Sequence, residues 1–198
     1  MLNDIICKIQ RKGTTFFSNI QIIKLKKKIN PSNIKYYLHT GKQHGLTDDI
    51  KIDDDIDLLV IPDAGTNDTE QCKVLKNKGI DIIILDHHER EIDNPYAIIV
   101  NNQCSPNYKN KNLCGAGVVY KFLQAVDEEL WNEDADNYLD LVALANIADN
   151  MDMRSPETKY LVLKGLEFIT NSFFEKLIEA QSYYFPDGIT IIGIMFYI

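Results

Sequence analysis

The chain has 198 residues, 45% of them hydrophobic, and 21 Lys plus Arg against 29 Asp plus Glu give a formal net charge of −8. That length supports one sizeable core, or one domain with a trailing segment, and the acidic balance argues against broad duplex binding. There is no N-terminal apolar h-region and no apolar run of roughly 18 residues, so a cytoplasmic protein without a membrane partner is expected.

The first 35 residues hold eight Lys or Arg against Asp4 alone, a balance of +7 that leaves −15 for the remainder. A helix carrying Ile20, Ile22, Ile23 and Leu25 would present Lys24, Lys26, Lys27 and Lys28. That face suits either contact with a phosphate backbone or plain solvation. Tyr36-Tyr37-Leu38 is followed by a polar segment with His39 and His44, and then by Asp53-Asp54-Asp55, read as a solvated loop.

Leu58-Leu59-Val60-Ile61 has the length and side chains of a strand, and Pro62-Asp63-Ala64-Gly65 breaks it. Asn67-Asp68-Thr69-Glu70 reads as a capping box opening a helix to about Lys78, with Gly79 as its stop. The run Ile80 to Leu85 is a second strand, and Asp86-His87-His88 follows it. Strand, helix and strand make a βαβ unit, which requires a parallel sheet and brings Asp63 and His87 to the same edge. In open α/β sheets that carboxyl edge is where ligands bind.

Ala97 to Val100 is another short strand, ended by Asn101-Asn102, and Asn101 to Lys111 reads as a loop. Ala116 to Leu130 is a helix with Val118, Val119, Phe122, Leu123 and Val126 inward. The amides of its Gly115-Ala116-Gly117 start suit a phosphate, or the glycines serve close packing. Tyr138 to Ala148 is a mostly apolar helix that ends on Asp149. A carboxylate there faces the negative end of the helix dipole, and a bound cation would offset the repulsion. Ser155-Pro156 opens a helix to about Ile169, and Asn171-Ser172 opens another to about Ala180 that packs Phe173, Phe174, Leu177 and Ile178. Ile189 to Ile198 has a strand pattern, at ten residues too short to span a bilayer. Cys7, Cys72, Cys104 and Cys114 lack C-x-x-C spacing and read as reduced, mostly structural thiols.

Pro-Asp-Ala-Gly after one strand, Asp-His-His after the next and Asn-Ile-Ala-Asp at a helix end together resemble the DHH phosphoesterase family. Within it, the chain is similar to the RecJ-type single-strand-specific exonucleases. Asn112 to Lys121, Leu139 to Leu144, and Tyr36-Tyr37-Leu38 with His44-Gly45-Leu46 extend the likeness over roughly residues 18 to 198.

The resemblance implies an α/β fold, a parallel sheet flanked by helices, with a phosphoesterase core over residues 1–150. A helical connector and the start of a further segment would occupy 151–198. It implies Asp63, His87 and Asp149 as ligands of a divalent pair, Mn²⁺ or Mg²⁺. Asp86 would be a supporting acid or a ligand, and His88 would contact the scissile phosphate. Gly115 and Gly117 would help bind substrate. Hard oxygen donors with one imidazole agree with those ions. The expected partner is single-stranded nucleic acid.

The chain departs from the family in two places. The Asp-x-Asp pair expected after the first strand is missing, because Asp4 is the sole carboxylate before Asp48 and the segment Gly13 to Ser18 carries hydroxyls and aromatics. Asp53-Asp54-Asp55 precedes the Asp63 strand and so belongs to the opposite edge. The family's C-terminal substrate-binding domain is also absent, which suggests a partial chain. Three readings follow. The first is a RecJ-like nuclease. The second is a DHH-type pyrophosphatase, or a phosphoesterase for oligonucleotides or cyclic dinucleotides. The third is a non-catalytic remnant.

Overall fold

Leu58 to Pro62 are buried throughout, because this strand is the middle one of five and has helices on both faces. The computed structural model describes residues 5–9, 34–38, 44–47, 51–129, 135–167, 169–172, 174, 176 and 179. The strands are β1 (Ile5–Ile9), β2 (Ile34–Leu38), β3 (Leu58–Pro62), β4 (Asp81–Asp86) and β5 (Ile98–Asn101). They pair in the order β2-β1-β3-β4-β5, every pair parallel. The helices are α1 (Thr69–Asn77), α2 (Gly115–Glu129), α3 (Leu139–Ala148) and α4 (Pro156–Glu167), with a 3-10 turn at Ala135–Tyr138.

Alternation along β3 builds the layers. Leu58 and Val60 join Leu85 in a cluster with Leu113, Val118, Val119, Leu123, Val142 and Leu161, on the face that α2, α3 and α4 cover. Leu59 and Ile61 point the other way, with Ile82 and Ile84, toward Leu46, Ile56, Cys72 and Leu75 on the α1 side. A strand buried on both faces must be apolar at every position, which explains the unbroken run at 58–61. A third cluster, Cys114, Ala116, Leu141, Leu144, Ala145 and Phe174, clamps the start of α2 against α3.

The expected βαβ unit is present as β3, α1 and β4. One detail of its helix start differs. The N-cap is Asp68, and its carboxylate makes no capping bond to its own helix. Such a bond is worth about 1 kcal/mol. Instead the carboxylate accepts the Leu46 N–H. Asn67, expected to cap, accepts the Glu91 N–H at 2.8 Å and donates to the Glu89 carbonyl at 2.9 Å. The capping-box residues thus fasten neighbouring loops, because the same polar atoms find partners across the fold.

Asp53 and Asp55 lie exposed before β3, paired with Lys35 at 3.1 and 2.7 Å, and Asp54 pairs with Lys78 at 2.8 Å. The triplet therefore sits at the amino edge of the sheet, as expected. Phe174 is buried, as expected for the last helix. The side chains of Phe173, Leu177 and Ile178 lie outside the described residues, as do Gly13 to Ser18, His39, the basic stretch Ile20 to Lys28, and the pattern at Ile189 to Ile198. Among the described residues no helix is long and apolar enough to cross a membrane.

Candidate metal centre

Three segments end at the carboxyl edge of β3 and β4. β3 stops at Pro62, which has no N–H to donate to the ladder. The chain then turns through Asp63 in the left-handed region, φ 61°. That conformation costs most residues about 1 kcal/mol or more, and Asp is among the few that enter it routinely. The Asp63 N–H donates to the Leu85 carbonyl at 2.7 Å, which ties the turn to β4. Its carboxylate is buried, with Oδ1 3.3 Å from Nε2 of His87, the residue after β4.

Asp149 arrives from the helical layer. It is the C-cap of α3, and Asn150 follows in the left-handed region at φ 53°. Asn150 N–H donates to the Ile147 carbonyl and Met151 N–H to the Asn146 carbonyl, both at 3.0 Å, the paired bonds of a Schellman ending. This stop leaves Asp149 at the rim. One ligand atom each from Asp63, His87 and Asp149 lies within 4.8 Å of the others, from residues far apart in the chain. Two carboxylates and an imidazole form a donor set suited to a hard divalent cation. Gly115 supports the same fit: a Cβ there would come well inside 3.0 Å of Asp63 Oδ1, a separation real Cβ atoms do not show.

Asp86 lies one step behind this cluster, almost fully buried as the last residue of β4. Its Oδ2 accepts the Thr66 amide at 3.1 Å and the Thr66 hydroxyl at 2.6 Å. Its Oδ1 accepts the His87 amide at 2.7 Å, the His88 amide at 3.3 Å and meets His88 Nδ1 at 2.6 Å. Burial would raise this carboxyl, but the His88 ring and the Thr66 donors outweigh it and hold the group well below the usual carboxylate range. His88 shifts the other way. Its bond to Asp86 raises its pKa against burial, helped by the charges of Asp86, Asp63 and Asp149. The His88 side chain is 44% exposed and that of His87 17%, so the two neighbours face different surroundings.

The sequence-derived candidates thus divide. Asp63, His87 and Asp149 converge, Asp86 is committed to protein donors beneath His88, and His88 opens to solvent. Gly115 lies against Asp63, whereas a Cβ on Gly117 would meet the Leu113 side chain at 3.1 Å. The Leu113 side chain therefore packs against the Gly117 position at the helix start.

Three residues have supporting roles that their sequence context does not assign. Thr66 and Asn101 hold Asp86 and His88 in place: Asn101 Nδ2 donates to Thr66 Oγ1 at 3.0 Å and to the His88 carbonyl at 2.9 Å. Asn146 joins α3 to α2, accepting the Cys114 N–H at 3.2 Å while donating to the Val142 carbonyl at 2.8 Å. The available signal was a polar residue at a strand or helix end on the same rim, since Asn101 is the register partner of Asp86.

Residues 15–146 match the family model described as "DHH family, N-terminal domain". The chain is 44% identical over 182 residues to a putative SPbeta prophage-derived single-strand DNA-specific exonuclease, YorK, of Bacillus subtilis (strain 168), covering 91% of this chain and 31% of that protein. It is 36% identical over 112 residues to the single-stranded-DNA-specific exonuclease RecJ of the same organism, covering 56% of this chain and 14% of the relative. The chain therefore spans about a third or less of the curated relatives it matches. An exonuclease RecJ crystallised with manganese superposes with a TM-score of 0.81 at 21% identity, over 98% of this chain and 50% of the other. RecJ of Thermus thermophilus in complex with Mn²⁺ gives 0.64 at 20% identity, over 83% and 24%. A two-thirds match to the family model, together with the shared parallel core, establishes that this chain belongs to the DHH family, in the part of it that forms the N-terminal domain.

Proposed function

We propose that the chain hydrolyses phosphodiester bonds of single-stranded DNA in the manner of a RecJ-type exonuclease, using Mn²⁺ or Mg²⁺ held by Asp63, His87 and Asp149. The observation that carries this reading is the convergence of those three ligand atoms within 4.8 Å at one sheet edge. The relatives named for single-strand-specific exonuclease activity agree with it. Those three residues would hold the cation, which when bound would supply Lewis acidity and lower the pKa of a coordinated water.

The protein's own groups do the rest. Asp63 and Asp149 place two negative charges where a cation is to sit, and the Pro62 turn and the Schellman ending hold them without further rearrangement. His88, anchored through Nδ1 to Asp86, donates a hydrogen bond from its other ring nitrogen to the scissile phosphate. Asp86 acts through His88 as a positioning residue, and Thr66 and Asn101 fix Asp86 in turn. Gly115 admits the Asp63 carboxylate beside the helix start. Residues 1–150 form the catalytic core in this reading. Those from 151 begin a connector whose first helix, α4, docks against the core through Leu161. The setting is cytoplasmic.

Calorimetric titration of Mn²⁺ into the purified chain, followed by an assay on 5′-labelled single-stranded DNA, tests the proposal. Saturable binding with cleavage, both lost in Asp63→Ala, is the expected result. Cleavage that survives Asp63→Ala would sink the site assignment. Activity confined to pyrophosphate or dinucleotides would transfer the site to that substrate class. Weak binding without cleavage would identify a binding remnant, consistent with a sequence whose sole carboxylate before Asp48 is Asp4.

A further inference from the structure

We propose that His44 contacts substrate, working with His88 as a paired-imidazole grip on one phosphate group, and that Asp68 is the positioning residue that holds His44 there. This rests on the metal-site reading above and adds a phosphate contact from outside the three motifs.

The ring of His44 meets that of His88 edge to face, centroids 4.8 Å apart at 71°. His88 in turn lies 4.5 Å from His87. Three imidazoles therefore run outward from the Asp63–Asp149 cluster, from half-buried His87 to exposed His44. With Nδ1 of His88 engaged by Asp86, the other ring nitrogen is the one left to meet a ligand, on a side chain that is 44% exposed.

The two residues after His44 are fastened down. Leu46 is buried among Ile56, Leu59, Ile61 and Leu75, and its N–H donates to the Asp68 carboxylate. Gly45 has φ +82°, and a Cβ there would fall well inside 3.0 Å of Asp68 Oδ2. Asp is a preferred capping residue, yet Asp68 directs its carboxylate away from its own helix, to a segment 22 residues upstream. That diverted cap fixes His44 over His88.

Chemistry names the ligand. Asp63 and Asp149 are committed to a cation and Asp86 to protein donors, so a phosphate reaching this rim needs hydrogen-bond donors beside the cation. Two imidazole N–H groups can each donate to a non-bridging oxygen of one phosphate, as charge-assisted hydrogen bonds. A nucleotide phosphate beside the cleaved bond fits that demand.

The test uses the full chain in Mg²⁺ with inorganic phosphate as the probe, followed through the histidine ring signals by NMR and by calorimetry. The His44 and His88 rings should move together with one midpoint. His44→Ala should weaken phosphate binding about tenfold, the scale of one charge-assisted hydrogen bond. Mg²⁺ stoichiometry should stay unchanged, and His44→Gln, which keeps a donor, should recover part of the affinity. Asp68→Asn should weaken binding in the same direction, and the double variant should be no worse than His44→Ala alone. A still His44 ring, wild-type phosphate affinity in His44→Ala, or loss of Mg²⁺ stoichiometry in that variant would overturn the grip. Additive effects would overturn the role of Asp68. A chain that holds phosphate through both rings but leaves labelled single-stranded DNA uncut keeps the grip and refutes the exonuclease reading. DNA cleavage with normal phosphate binding by His44→Ala does the reverse.

Discussion

Gly115 and Asp63 approach so closely that the first position of α2 must be glycine: any Cβ there would collide with the Asp63 carboxylate. Gly115→Ala must therefore displace either the carboxylate or the helix start. The expected result is a roughly 10- to 100-fold loss of Mn²⁺ affinity, the range seen when a supporting contact of a metal site is removed. A stability loss of about 1–3 kcal/mol from overpacking should accompany it. Calorimetry and a thermal melt read the two effects. Unaltered Mn²⁺ affinity would show that Asp63 does not need this position to bind.

Asp149→Asn should change stability with opposite sign in the two metal states. Without metal, a carboxylate at the carboxyl end of α3 opposes the helix dipole, so its removal should stabilise slightly, by roughly 0.3–1 kcal/mol. With saturating Mn²⁺ the variant should melt lower than the parent, because metal-linked stabilisation is lost. Equal shifts in both states would argue against a ligand at this position.

Asp86→Asn should cost about 1–3 kcal/mol at neutral pH, since an amide cannot accept from every donor that surrounds the carboxylate. The folded-state pKa of Asp86 is depressed, so its contribution is present above the usual carboxylate pKa of about 4 and fades as pH falls toward the folded value. His88 is raised, so its share is full below its unfolded pKa of about 6.5 and fades as pH rises through the folded value. Denaturant melts across pH should show the largest parent-to-variant gap between those limits. A gap that widens in acid would contradict the assignment.

Thiol labelling should separate Cys72, Cys104 and Cys114. Cys72 and Cys114 are buried and Cys104 is half-exposed. Burial pushes both buried thiols up, Cys114 further through the charge of Asp149. Peptide mapping after brief alkylation of the native chain should find Cys104 modified first, with the other two following only on unfolding. Early labelling of Cys114 would mean that the α2–α3 junction opens readily.

The βαβ unit was legible because its signals are local. A strand-length apolar run, a Pro-Asp-Ala-Gly break and a glycine after the helix each act within a few residues. The meeting of Asp63 with His87 followed from topology, since parallel neighbours end at the same edge. Asp149 was legible as a carboxylate placed against a helix dipole. The capping box is displaced by one residue: its pattern makes Asn67 the N-cap, whereas Asp68 holds that position, and the two side chains find partners at Glu91 and Leu46.

Periodicity and turn chemistry alone were enough to specify an α/β core and the rim to which its carboxylates and imidazoles belong. Folding was needed to decide the strand order, with β1 inserted between β2 and β3, and the bonding of Asp86 through Thr66, Asn101 and His88. It also decided the close approach of Gly115 to Asp63 and the diversion of Asp68. The physical reason is range. Backbone preferences act over a few residues and leave their mark in composition, whereas side-chain partners 20 to 35 residues apart are chosen by packing.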